Sequence, residues 1–151
     1  MSRFRYRMQN ILNIKTSLES QAKMHYAEAN AKLREQEEKL SAMVRRKEAY
    51  EDRARELRKE TLKIQEINEV ARAIMYVEEE IKLQEREVSY ARRNVQKAKE
   101  IMTQAMQERK TQEKLREKAF EEFLLDEKAR ESKEIDELTS YTYGQKIVGE
   151  N

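Results

Sequence analysis

Between Val70 and Ala105 an apolar stripe recurs in alternating steps of four and three residues. Its members are Val70, Ile74, Val77, Ile81, Gln84, Val88, Ala91, Val95, Ala98, Met102 and Ala105, and only Gln84 is polar. A mean spacing of 3.5 residues keeps positions on one side of a chain only if that chain is a supercoiled α-helix. The residues in between are mostly Glu, Lys, Arg and Gln, as solvated flanks require. Alanines at 91, 98 and 105 allow close approach of a partner helix. Past Ala105 the repeat fades, because Arg109, Gln112 and Arg116 occupy the same register. Apolar residues resume at Leu115, Ala119, Phe120, Phe123, Leu124 and Leu125.

An earlier seam has the same spacing: Leu33, Gln36, Leu40, Met43, Lys47, Tyr50, Ala54 and Leu57. Lys47 is its charged exception, either snorkelling to water or fixing register. Upstream, Ile14, Leu18, Ala22, Tyr26 and Ala29 step mostly by four, a stutter expected to unwind the supercoil locally. There is no proline, and both glycines, Gly144 and Gly149, lie near the C-terminus. Nothing earlier breaks a helix strongly. Charged residues make up 41% of the chain and hydrophobic ones 38%, a balance that suits long solvated helices and not a thick core. Alternating strand patterns with turn signals are absent, which excludes a sheet protein.

The two seams are out of phase. Leu57 and Val70 are equivalent positions thirteen residues apart, one short of two heptads. In an unbroken helix that slip turns the stripe by about 100°. The slip falls in KETLKIQEINEV, residues 59–70, which holds Thr61, Ile64 and Ile67, and in which Thr61 and Asn68 are able to cap a helix. The expected fold is therefore all-α: an antiparallel two-helix coiled-coil hairpin within one domain, residues 1–139. Its helices are expected at about 3–60 and 68–138, with a reversal at 59–68 and a flexible tail at 140–151 bearing Tyr141 and Tyr143. The alternative is one continuous rod dimerised in parallel.

A hairpin gives meaning to the cationic start, RFRYRMQNILNIK, in which no acid appears before Glu19. It brings Arg3, Arg5 and Arg7 opposite Glu121, Glu122, Asp126 and Glu127. From Glu117 to Glu137 there are nine acids and four bases, a net of −5. Exposed ion pairs of this kind are worth about 0–1 kcal/mol each and select orientation more than they stabilise. Phe4, Tyr6, Met8 and Ile11 are expected to pack on part of the Phe120, Phe123, Leu124 and Leu125 cluster.

The overall charge of +2, from 32 basic and 30 acidic residues, argues against a polycation that grips nucleic acid. The basic start lacks the apolar run of a signal peptide, and residues 73–77 form too short an apolar run to span a bilayer. Catalysis finds no foothold. A phosphate-cradling loop needs glycine where there is none. His25 is the one histidine and cysteine is absent, so neither a metal cluster nor a nucleophilic triad can form within one chain. No cofactor, metal, catalytic residue or small-molecule substrate is expected. Since Ile74 and Val77 take seam positions, Met75 and Tyr76 point away from the partner helix. They form a candidate protein-docking patch near the reversal.

The segment FRYRMQNILNIK, leading into an uninterrupted charged helix, resembles the N-terminus of the FliJ family, a small coiled-coil component of the bacterial flagellar type III export apparatus. The matching residues are Phe4, Tyr6, Arg7, Met8, Gln9, Leu12 and Lys15. The C-terminal KLREKAFEEFLLDEKARESKEIDEL is similar as well. The resemblance implies a hairpin similar to the central stalk subunit of rotary ATPases. It implies three partners: the flagellar export ATPase hexamer, the export gate protein at the membrane, and export chaperones. Gate contact then falls near the start of the second helix, at Ala73, Met75, Tyr76 and Val77. Ring contact falls on the paired termini, at Arg5, Arg7, Phe120 and Phe123. Such a protein is non-enzymatic, cytoplasmic and peripherally attached to the inner face of the cell membrane. The related injectisome stalk proteins share the architecture, and a homodimeric coiled-coil scaffold is the alternative outside this group.

Overall fold

The structure is a computed structural model and describes residues 2–60 and 63–150. It consists of two α-helices, α1 (Gln9–Lys59) and α2 (Ile64–Glu150), with no strand among the described residues. They form an antiparallel helical hairpin. Their contacts group into two units, one joining residues up to Glu19 with residues from Ala105 onward, the other being Ser20–Gln104.

In the Ser20–Gln104 unit the seam is apolar. Ala22, Leu57, Val70, Val77, Val88 and Ala91 are buried, with Val77 only 2% exposed. The expected polar seam residues find each other: the Gln84 side-chain amide donates to the Gln36 backbone carbonyl at 3.0 Å and to its side-chain carbonyl at 2.7 Å. A buried amide needs such partners, and in this register Gln84 meets them only opposite Gln36. Lys47 snorkels, its ammonium reaching Glu78 at 3.5 Å and Glu51 at 3.8 Å. Arg46 with Glu80 at 3.3 Å and Arg92 with Glu37 at 3.7 Å border the seam. Along the ion pairs Glu37–Arg92, Arg46–Glu80 and Lys47–Glu78 the α1 number rises as the α2 number falls, which is the antiparallel register.

The terminal unit is paired in the same sense but by different chemistry. Phe4 meets Phe120 edge-on at 5.1 Å and Phe123 at 5.4 Å, with the Arg116 guanidinium 5.8 Å from its ring centre. Tyr6 donates to Gln112 at 3.3 Å, Arg116 to Gln9 at 3.0 Å, and Lys15 to Glu108 at 3.0 Å. Arg109 bonds the buried Glu19 and, at 2.7 Å, Glu113. The expected packing of Phe4 on the phenylalanine pair is thus present. Phe4→Ala is expected to cost about 2 kcal/mol, since it removes two aromatic contacts from a half-buried site. The loss should appear as faster amide exchange in residues 9–19. Unchanged exchange there would show that the cluster is ornamental.

Several expected details differ. Leu12, Glu19 and Ala22 face inward, while Ile14 and Leu18 are 57% and 43% exposed. The seam of α1 therefore runs Leu12, Lys15, Glu19, Ala22, Tyr26 and Ala29 in regular steps of three and four, and the expected stutter is absent. Two charged residues in seam positions had disguised the register. Helix α1 starts at Gln9 and not near residue 3, with the Gln9 amide donating to the Tyr6 carbonyl at 3.2 Å. Its first turn holds no acid, and Arg3, Arg5 and Arg7 would oppose the helix dipole if the helix extended back over them. Among the described residues no ion pair joins those arginines to Glu121, Glu122, Asp126 or Glu127. The N-terminal segment is instead held by Phe4 and by the Ser2 hydroxyl, which donates to Glu127.

The reversal is also shorter than expected. Helix α2 starts at Ile64, four residues before Asn68, which is exposed within the helix and caps nothing. The Ile67 amide donates to the Lys63 carbonyl at 3.1 Å, placing Lys63 at the cap and Glu66 in the first turn beside the positive end of the dipole. The other expected capping residue, Thr61, lies outside the described residues. At the far end α2 continues through Glu150, so residues 140–150 are helical where an extended tail was expected. Neither glycine there has a positive φ. Each costs about 1 kcal/mol of helix propensity, which does not by itself end a helix. Gln145 bonds the Tyr141 hydroxyl one turn back at 2.7 Å.

Candidate functional site

Helical geometry decides which of the expected contact residues are available. In the Ser20–Gln104 unit, Val77 is buried and Ala73 half-buried, whereas Met75 and Tyr76 are each 67% exposed. Val77 and Ala73 therefore act through the seam, and Met75 and Tyr76 are what α2 offers to solvent there. The stripe is longer than the two residues. Leu83 and Tyr90 are also well exposed and follow Tyr76 at intervals of seven, so one face of α2 carries Tyr76, Leu83 and Tyr90 one above the other. Sequence reading missed the last two. The signal was there, a second heptad register lying outside the seam. At its far end a shallow groove of about 370 Å³ is lined by Tyr90, Ala91 and Asn94 from α2 and by His25, Ala29 and Lys32 from α1. The small side chains Ala29 and Ala91 leave this hollow.

In the terminal unit, the ring-contact candidates divide in the same way. Phe120 and Phe123 are drawn together against Phe4, Phe123 half-buried and Phe120 still 43% exposed. Arg5 and Arg7 are exposed and lie on either side of Tyr6, which is half-buried. Aromatic residues at alternate positions anchor this segment, so the intervening arginines are presented outward. Leu124 and Leu125 add apolar surface at 50% and 67% exposure. Beyond Arg130 no residue of α2 through Gly149 is buried or half-buried.

The titration of Arg109 is clearly displaced. The hydrogen bonds it donates to Glu19 and then to Glu113 raise its pKa, against a smaller desolvation effect. Its contribution to pairing is thus constant through neutral pH and is lost only as pH rises through that raised value. Among the described residues no group of three or more His, Cys, Asp or Glu side chains is placed to hold a metal ion. No helix among them is long and apolar enough to cross a membrane.

This arrangement leaves two exposed patches: an aromatic stripe in one unit, and arginines with phenylalanines in the other. Comparison with known proteins agrees with the resemblance noted above. The family model for the flagellar FliJ protein matches residues 4–147. The flagellar FliJ protein of Bacillus subtilis (strain 168) is 27% identical over 136 residues, covering 90% of this chain and 92% of the relative. No solved structure matches. The family match spans the termini, both helices and both exposed patches, and on that ground the chain belongs to the flagellar FliJ family.

Proposed function

We propose that this protein is a non-enzymatic component of the flagellar type III export apparatus, working in the cytoplasm at the inner face of the membrane. It couples the export ATPase hexamer to the export gate and escorts export chaperones. Family membership supports the flagellar setting. The observation that carries the coupling reading is the exposure, in two separate units, of chemically different patches on a chain whose seam is otherwise self-satisfied. Tyr76 and Met75, extended by Leu83 and Tyr90, form the gate-facing stripe. Arg5 and Arg7, with Phe120 and Phe123, form the ring-facing patch. Ala73 and Val77 shape the first patch from beneath by fixing the rotation of α2.

Two measurements test this reading. Tyr76→Ala combined with Leu83→Ala and Tyr90→Ala should leave the melting temperature within a few degrees of the parent, since exposed positions contribute little to stability. The same variant should reduce swimming and flagellin export several-fold. Arg5→Glu with Arg7→Glu should weaken stimulation of ATP hydrolysis by the purified export ATPase. Normal motility in the first variant together with normal stimulation in the second would overturn the coupling role.

A further inference from the structure

We propose that the terminal unit opens and closes as a body of its own while the Ser20–Gln104 unit stays paired, a conformational device written into the chemistry of the seam. The contrast in burial is large. Leu12 is the one buried apolar residue of the terminal unit among the described residues, against Ala22, Leu57, Val70, Val77, Val88 and Ala91 in the other. The terminal seam positions are taken instead by Lys15, Glu19, Arg109, Gln112 and Arg116. Their partners are Glu108, Glu113, Tyr6 and Gln9, in addition to the Glu19–Arg109 pair itself.

These two seams respond differently to separation. The hydrogen bonds and ion pairs that join the two helices of the terminal unit are exchanged for water when the helices part, so little is lost net. The buried Glu19–Arg109 pair follows the same rule, because rehydration of both charges offsets their lost attraction. Apolar burial has no such replacement, and opening the Ser20–Gln104 unit exposes it all to water. The phenylalanine cluster is then the apolar clasp that holds the terminal unit shut, and it is only partly buried. Opening releases Phe4, Phe120, Phe123 and Leu12 to solvent, so anything that binds those side chains favours the open form. Stepwise fraying from the N-terminus is a different process. It would leave the inboard pair Glu19–Arg109 closed while Phe4 is free, whereas here the polar stretch and the clasp separate together. The proposal stands apart from the flagellar reading, since it concerns the isolated chain.

Hydrogen exchange on the full chain tests it. Peptides from residues 9–19 and 105–119 should exchange with one common protection factor, about a hundredfold below that of residues 70–91. Glu19→Leu with Arg109→Leu makes that stretch apolar, and should raise terminal protection at least tenfold while leaving 70–91 unchanged. The charge swap Glu19→Arg with Arg109→Glu serves as the second variant and should keep terminal protection within about threefold of the parent. Nitroxides at Asn10→Cys and Glu117→Cys should report two separations, and those at Glu38→Cys and Arg86→Cys a single one. Equal protection in the two units, protection that climbs steadily inward from residue 9, or a single separation for the terminal labels would each overturn the proposal. So would a leucine variant no better protected than the parent while the charge swap is tolerated. If both variants lose terminal protection, the polar pair is a clamp and not a weak point, which is equally fatal.

Discussion

Val77→Asp is expected to destabilise the hairpin by about 3–5 kcal/mol, because it places an unpaired carboxylate where the native side chain is 2% exposed. For a chain of this length that corresponds to a fall in melting temperature of roughly 10 °C. A cation on the rim does not rescue it. Lys47 already reaches Glu78 and Glu51 on the rim of the seam, and turning inward would strip its ammonium of water. The adjacent substitution Tyr76→Asp gives the control. Tyr76 is 67% exposed, and its stability effect should stay within about 0.5 kcal/mol. Circular dichroism during heating separates the two. A Val77→Asp protein that melts like its parent would mean that α2 is rotated from the seam described here. The pair also sorts function from fold: a motility defect in Tyr76→Asp with unchanged melting belongs to partner contact, and a defect confined to Val77→Asp belongs to folding.

The legibility of this chain follows the polarity of its seams. From Val70 to Ala105 the period is plain because only Gln84 interrupts it; Gln36 stands in the earlier seam, but nothing in the spacing pairs the two. The reversal was legible as a phase slip between Leu57 and Val70. Its cap was not, because Lys63 stands at the cap and its side chain, having no acceptor, gives no capping signal. In the first turns of α1, Ile14 and Leu18 attracted attention as apolar residues, yet Lys15 and Glu19 hold the inward positions. A hydrophobicity pattern cannot register a seam built from ion pairs. The same blindness made the α2 repeat seem to fade at Arg109, Gln112 and Arg116, where it continues in polar form. The cationic N-terminus was matched to the right stretch of α2, but by charge, when Phe4 carries the contact. In the exposed stripe of α2, Met75 and Tyr76 follow from the seam phase. Leu83 and Tyr90 were passed over because each is an isolated residue among charges, and only the rotation of α2 aligns them with Tyr76.

Arg109→Leu is expected to abolish the closed state of the terminal unit. Glu19 is 6% exposed in the paired form, and Arg109 bonds its carboxylate across the two helices. Leucine removes that ion pair from a buried carboxylate and so raises the cost of staying closed, whereas separation hydrates the carboxylate. The terminal labels at positions 10 and 117 should then show only the longer distance, and amides of residues 9–19 should lose most of their protection. The labels at 38 and 86 should be unaffected, because the Gln36–Gln84 bond and the apolar seam of that unit remain. Glu19→Leu added to Arg109→Leu should restore closure, which separates a stranded charge from a simple loss of guanidinium packing. Titration supplies an independent check on the parent protein. Since its partners raise the Arg109 pKa, the closed population should not change through neutral pH on account of this residue, and should fall only at strongly alkaline pH. If Arg109→Leu leaves the terminal distance short, the buried carboxylate has another base within reach and the seam owes its register to the phenylalanines alone.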